Sequence, residues 1–176
     1  MTKLIPFGTL TETPWANGQG RKADIDHGDG WSLAFAWLDR PAPFSDYKGV
    51  ARTITLLEGR GFVLDFPDHP ALHVEQVGVP ANFDGGWPAQ CRLLGGPCFV
   101  LNAFSNQRSW RQNVSVAEPS NVGQLRADDF IVVLRGRVWL DDLTAGNHDT
   151  LRINGTGPIL GSADALIALI RFEKRA

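Results

Sequence analysis

The sequence predicts an all-β fold, two fused small barrels that arose by internal duplication. Three observations carry that prediction. No amphipathic helix longer than a turn or two can be found, and short β-type runs are punctuated at close intervals by Gly and Pro. Several of those runs alternate strictly between large and small side chains, the period of a strand with one face turned to a core. Finally, a strand–turn–strand pattern in the first half recurs in the second.

The strand candidates run in order as 31-WSLAFAWL-38, 52-RTITLLE-58, 61-GFVLDF-66, 89-AQCRLL-94, 98-CFVLNAF-104, 130-FIVVL-134, 137-RVWLDD-142 and 165-ALIALIRF-172. In the first, Trp31, Leu33, Phe35 and Trp37 share one face, while Ser32, Ala34 and Ala36 share the other. The small face leaves room beside it.

The repeat appears when 54-ITLLEGRGFVLDF-66 is laid on 131-IVVLRGRVWLDDL-143. Ile54 falls on Ile131, Leu57 on Leu134, Gly59 on Gly136 and Asp65 on Asp142, all at an offset of 77. A second block, 88-PAQCRLL-94 on 164-DALIALI-170, matches Ala89 with Ala165 at an offset of 76. Each copy reads as a strand, a Gly turn, a strand, a loop and a later closing strand. That order is the pattern of a cupin-type barrel, and two copies make a bicupin. The first barrel is expected over about residues 1–105 and the second over about 106–176, one compact unit in which strands can be exchanged.

With 176 residues the chain can bury a sizeable core. A net charge of −2 supplies no basic field for nucleic acid or an anionic membrane surface. No apolar run approaches the roughly 20 residues needed to span a bilayer, and MTKLIPFGTL lacks the h-region of a signal peptide. A cytoplasmic location is expected. Cys91 and Cys98 flank Gly95-Gly96-Pro97; a hairpin turn there sets Leu93 opposite Cys98 and Cys91 on the diagonal, at roughly 7 Å. That is too far for a relaxed disulfide, so both cysteines are expected reduced and structural.

The stretch 14-PWANGQGRKADI-25 resembles a phosphate cradle, with two glycines beside Arg21 and Lys22. Such loops follow an apolar strand and open a helix whose amides face the anion. Here Pro14-Trp15 precedes the glycines and more turn formers follow, so Asn17-Gly18 reads as a turn. The four histidines, His27, His69, His73 and His148, form no His-x-His pair, and Pro70 interrupts the only helical spacing among them. Neither a metal nor another cofactor is expected. A nucleophile elbow is absent and no spacing ties a histidine to Ser or Cys, so no catalytic residue is assigned.

What remains is a pocket made from polar residues on apolar strands. Ser32 lies on the small face of its strand, Arg52 shares a face with Ile54 and Leu56, and Asn102 interrupts CFVLNAF. A buried Arg or Asn needs partners, and a ligand's carboxylate or amide can serve. Protein-only alternatives stay open: Arg52 can reach outward or pair with an acid such as Asp46, and Asn102 can bond to backbone.

Three blocks of the sequence resemble the HutD/Ves family of small bicupins, often encoded beside histidine-utilisation enzymes. They are Pro14-Trp15-Ala16-Asn17-Gly18-Gln19-Gly20, then Pro43-Phe44-Ser45 with Tyr47, Gly49, Arg52 and Leu57-Glu58-Gly59, and finally Arg92-Leu93-Leu94 with Gly96-Pro97 and Leu101-Asn102. The resemblance implies a two-barrel cupin fold without a metal triad and with a polar pocket in the first barrel. It also implies a regulatory role, binding a histidine-degradation intermediate such as formylglutamate or urocanate. The chain departs from the family pattern at Ala23, Ala51 and Val100, where the family often carries charge.

The expected function is therefore that of a non-catalytic protein holding a small anionic metabolite through Asn17, Ser32, Ser45, Arg52 and Asn102. The expected partner is a small carboxylate, with no nucleic acid and no membrane, and exposed strand edges can pair with a second copy to form a homodimer. The alternative is a metal-free or weakly metal-dependent cupin isomerase or hydrolase, for which Glu58, His73 and Asp24 are the candidate acids or bases.

Overall fold

Strands run almost from end to end, as the punctuated sequence requires. The computed structural model describes residues 1–155 and 157–176. They divide into a larger unit, Thr11–Arg111 with Lys174–Ala176, and a smaller unit, Met1–Leu10 with Gln112–Glu173. Each chain end thus belongs to the unit built chiefly from the other half of the sequence.

The first strand, β1 (Lys3–Ile5), is part of the smaller unit. The larger unit follows with β2 (Glu12–Pro14), β3 (Arg21–Gly28), β4 (Trp31–Leu38), β5 (Ala42–Pro43), β6 (Val50–Glu58), β7 (Phe62–Asp65), β8 (Leu72–Val74), β9 (Pro80–Asp84), β10 (Gln90–Leu93) and β11 (Cys98–Asn106). One sheet has the order β2-β3-β4-β11-β6-β9 and the other β5-β10-β7-β8. The facing sheets share a core in which Ala36, Ile54, Leu56 and Val100 of the first meet Phe62, Leu64, Val74 and Cys91 of the second. Each of these residues is 3% exposed or less, and burying such side chains gains roughly 25 cal/mol per Å² of apolar surface.

The rest of the smaller unit consists of β12 (Trp110–Ala117), β13 (Phe130–Arg135), β14 (Val138–Leu140), β15 (Leu143–Ala145), β16 (Thr150–Arg152), β17 (Leu160–Gly161) and β18 (Leu166–Lys174). Its sheets run β1-β16-β13-β18-β12 and β15-β14-β17, around a core that includes Ile131, Val133, Leu151 and Ile167.

The two units repeat one topology. The order β4-β11-β6-β9 in the larger recurs as β12-β18-β13-β16, and β10-β7-β8 recurs as β17-β14-β15. Register makes the repeat exact to the residue. Leu56 pairs with Val100 beside a bulge, and Val133 pairs with Ile167 beside a bulge at the same rung. Since Val133 lies 77 residues after Leu56, Ile167 is the counterpart of Val100, at an offset of 67. The match of Ala89 with Ala165 is therefore corrected. Ala165 leads into β18, the counterpart of β11, whereas Ala89 leads into β10. Two short apolar runs look alike whichever strand they form.

The matched glycines have a common cause. Gly59 has φ +109° and Gly136 φ +77°, a region that side chains rarely adopt. A Cβ on Gly59 would lie 2.7 Å from the Pro97 carbonyl oxygen and 3.0 Å from Cys98 Cα, and one on Gly136 would lie 2.9 Å from Ala165 Cα. Backbone cannot swing aside as a side chain does. Gly59→Ala is expected to cost about 2–4 kcal/mol from left-handed strain plus displaced backbone, read as a lower denaturant midpoint at unchanged m-value.

Two local expectations are overturned. Gly95-Gly96 joins no hairpin: β10 lies in the four-stranded sheet and β11 in the six-stranded one, so the chain changes sheets there. Both cysteines are nevertheless buried and unbridged, and desolvation lifts the Cys91 thiol to about 12. Residues after Gly20, read as turn, form the eight-residue strand β3. Its polar side chains, and the bulge between Asp24 and Asp26, hide its period. The preceding turn is as expected: the Gly18 amide donates to the Trp15 carbonyl at 2.9 Å, with Gly18 at φ +67°. Gly20 is required because a Cβ there would lie 2.5 Å from the Trp15 indole.

Candidate functional site

One face of the six-stranded sheet carries both core and site. Along β6, Arg52, Ile54 and Leu56 point the same way, and their β11 neighbours on that face are Phe104, Asn102 and Val100. On β4 the matching positions are Ser32, Ala34 and Ala36. Toward Leu56, Val100 and Ala36 the face is sealed in the apolar core. Toward Arg52, Asn102 and Ala34 it opens into a narrow cavity of about 50 Å³. A single water needs roughly 10–15 Å³ on this measure, so the chamber holds a few waters or one small polar group. It adjoins an open cleft of about 450 Å³, with Lys22, Ala34, Tyr47 and Phe104 lining both.

Arg52 is the unusual group. It is 6% exposed, and no hydrogen bond or ion pair to its side chain is found among the described residues. Its Nε is buried without a partner. Four aromatic rings surround the guanidinium instead, with Phe104 at 4.7 Å, Phe83 at 4.8 Å, Phe44 at 4.9 Å and Tyr47 at 5.8 Å from ring centroid to Cζ. Desolvation pulls its pKa down to about 10, against a smaller upward pull from Tyr47. It neither reaches outward nor pairs with Asp46, the two protein-only alternatives. Asn102, 5% exposed, also has its Oδ1 buried and unpartnered. A buried cation and a buried amide oxygen thus lie two rungs apart, each lacking the partner that burial normally demands.

The structure brings most of the expected residues together. Arg52, Asn102 and Ser45 line the inner chamber, and Ser32 lines the adjoining cleft. Asn17 stays outside: its Nδ2 donates to the Pro43 carbonyl at 3.0 Å, and its Oδ1 accepts from the Gln19 amide at 3.0 Å. It belongs to the turn that places Trp15 and Ala16 on the chamber wall. Lys22, Phe44 and Tyr47 are among the lining residues that were not anticipated as ligand contacts. Phe44 and Tyr47 stood within the family motif, while Lys22 depended on recognising β3.

Departures from the family pattern fall away from the chamber. Ala23 and Ala51 alternate with Lys22 and Arg52 and so face the other side of the sheet, and Val100 belongs to the core. None of the three lines the chamber or the cleft.

Of the candidate acids and bases, only Asp24 reaches the cleft, where Lys22 Nζ donates to its carboxylate at 2.7 and 2.9 Å. His73 lies on β8 and meets Glu75 at 2.7 Å. Among the described residues no three His, Cys, Asp or Glu side chains gather closely enough to hold a metal ion. His69 stacks on Trp87 and His148 packs edge-on against Phe7.

A model of the HutD family matches residues 8–168. The chain belongs to the HutD family. It is also 30% identical over 175 residues to an uncharacterised 21.2 kDa protein in the hutC 3′ region of Pseudomonas putida, covering 90% of each chain. HutD from Pseudomonas fluorescens SBW25, in a structure from a formate condition, superposes with a TM-score of 0.82 at 22% identity, covering 100% of both chains. A cupin 2 conserved barrel domain protein from Leptotrichia buccalis gives a TM-score of 0.63 at 8% identity, over 98% of this chain and 96% of the other. These likenesses establish the cupin fold for this HutD family member. Among the described residues no helix is long and apolar enough to cross a membrane.

Proposed function

We propose that the chain is a non-catalytic binding protein whose larger unit holds a small carboxylate metabolite on Arg52, in a regulatory role linked to histidine utilisation. The observation that carries this reading is the buried guanidinium of Arg52, ringed by aromatics and without an acid. An unpaired buried charge is costly, and a carboxylate is its best geometric match, accepting two parallel N–H bonds. Asn102 Oδ1 then asks for a donor on the same ligand, which the amide N–H of formylglutamate or the ring N–H of urocanate supplies. The rings exclude water and strengthen the contact. The adjoining cleft provides for the remainder of such a molecule.

Calorimetric titration with formylglutamate, urocanate and formate tests the proposal. Saturable binding of at least one is expected, and none binding would remove it. Turnover of a bound compound would instead favour the isomerase or hydrolase reading. Affinity also has an expected pH profile. Desolvation lowers the Arg52 pKa to about 10, and the bound carboxylate needs that proton. Tyr47, Lys22 and Asp24 are the other titratable groups on the two cavities. Affinity is therefore expected to be flat from about pH 6 to 9 and to fall toward tenfold per unit above about pH 10. A decline centred near pH 6.5 would point to a histidine instead.

A further inference from the structure

The duplicated fold allows the Arg52 rung to be compared with its own repeat. Arg52 faces Phe104 across β6 and β11. Carried through the offsets of 77 and 67, that rung becomes Asp129 and Arg171, directly beyond the Phe130–Ile170 pair of β13 and β18. Both residues share the core-facing side with Ile131 and Leu169, as Arg52 does with Ile54. The same corner of the fold therefore carries a guanidinium in both units, from opposite strands of the pair. In the smaller unit it is satisfied from within: Arg171 Nε donates to Asp129 Oδ1 at 2.7 Å and Nη2 to Oδ2 at 2.6 Å. Asp129 is 1% exposed and also accepts from the Arg126 amide at 2.8 Å.

We infer that the smaller unit is a second copy of the carboxylate site with its ligand group built in as Asp129, so that the whole chain takes one carboxylate ligand, on Arg52. This rests on the reading of Arg52 above and extends it in two ways. The Asp129 pair engages Nε and Nη2 side-on, and Nε is the atom left unpartnered in Arg52. A planar carboxylate bound side-on is thus the group the larger unit lacks, in preference to a tetrahedral anion. The second consequence is that removing the Asp129 carboxylate opens a new site of the same chemistry.

The test uses the full chain with Arg52→Met present throughout, so that the first site is silent. In that background Asp129→Ala leaves Arg171 facing a gap the size of one carboxylate, which formate fits. About 0.1 M sodium formate is expected to raise the melting temperature of Arg52→Met/Asp129→Ala by about 3 °C or more over sodium chloride at equal ionic strength. Arg52→Met alone and Arg52→Met/Asp129→Ala/Arg171→Met should show no such rise. If Asp129→Ala does not fold, Asp129→Ser keeps an acceptor near the Arg126 amide and provides the same reading. No formate-specific rise, or an equal rise without Arg171, overturns the inference. Failure of the Arg52 reading shows separately, as a wild-type protein that binds no carboxylate.

Discussion

Arg52→Met is expected to abolish carboxylate binding while leaving the unliganded protein as stable as wild type or more so. The two halves follow from one fact, that Arg52 is buried without an acid. Its pKa, lowered by desolvation to about 10, corresponds to about 3 kcal/mol of destabilisation when the group is charged. The sign is that of a depressed base. The penalty is present in full below pH 10 and is relieved only as pH rises above 10 toward the ordinary arginine range. Ring contacts return roughly 0.5–1 kcal/mol each in favourable geometry, and a methionine recovers part of that through sulfur–aromatic contact. The unliganded variant should therefore lie between equal to wild type and about 2 kcal/mol more stable in denaturant unfolding. Binding suffers oppositely. Removing one partner of a buried charge-assisted pair costs about 2–5 kcal/mol, or roughly 30-fold to several thousandfold in affinity. A variant that unfolds earlier and still binds would mean that Arg52 is structural.

Much of the site could be read from sequence because polar residues on apolar strands stand out. Arg52 beside Ile54 and Leu56, and Asn102 within CFVLNAF, break the pattern of their own strands, and burial leaves both with an unpartnered atom. Ser32 followed from strict alternation along β4. What was not legible depends on sheet order. Phe83 and Phe104 reach Arg52 only because β9 and β11 flank β6, and nothing local in their sequences announces that. Lys22 was hidden because β3 alternates imperfectly across its bulge and reads as turn. Asn17 is the converse case: a polar residue in a motif block can be held by main chain, here the Gln19 amide of its own turn and the Pro43 carbonyl of β5. Duplication was visible through the glycines, which backbone geometry requires, but not through the closing strands, where any apolar run matches any other.

Phe104→Asp is expected to close the larger unit's site from within, as Asp129 closes the smaller one. Residue 104 faces Arg52 on the same rung and side of the sheet, and its ring already lies 4.7 Å from the guanidinium. Losing a partly buried phenylalanine costs about 3 kcal/mol or more, and a buried carboxylate alone would add to that cost. Next to Arg52 the carboxylate instead gains a partner and relieves the lone cation. Phe104→Asp should therefore be more stable than Phe104→Asp/Arg52→Met by about 2–4 kcal/mol beyond the effect of Arg52→Met alone, a coupling read from a double-mutant cycle. Phe104→Ala should show little coupling, since it offers Arg52 no charge. Binding then discriminates between them. Phe104→Ala keeps the free guanidinium and should still take a carboxylate, weakened by about tenfold through the lost ring. Phe104→Asp should take none, because its own carboxylate is tethered at the guanidinium and has no translational entropy to lose. Equal carboxylate affinities for the two variants would show that the anion does not sit on Arg52. A large coupling with binding abolished only in Phe104→Asp would show that the vacancy beside Arg52 has the charge, size and position of one carboxylate group.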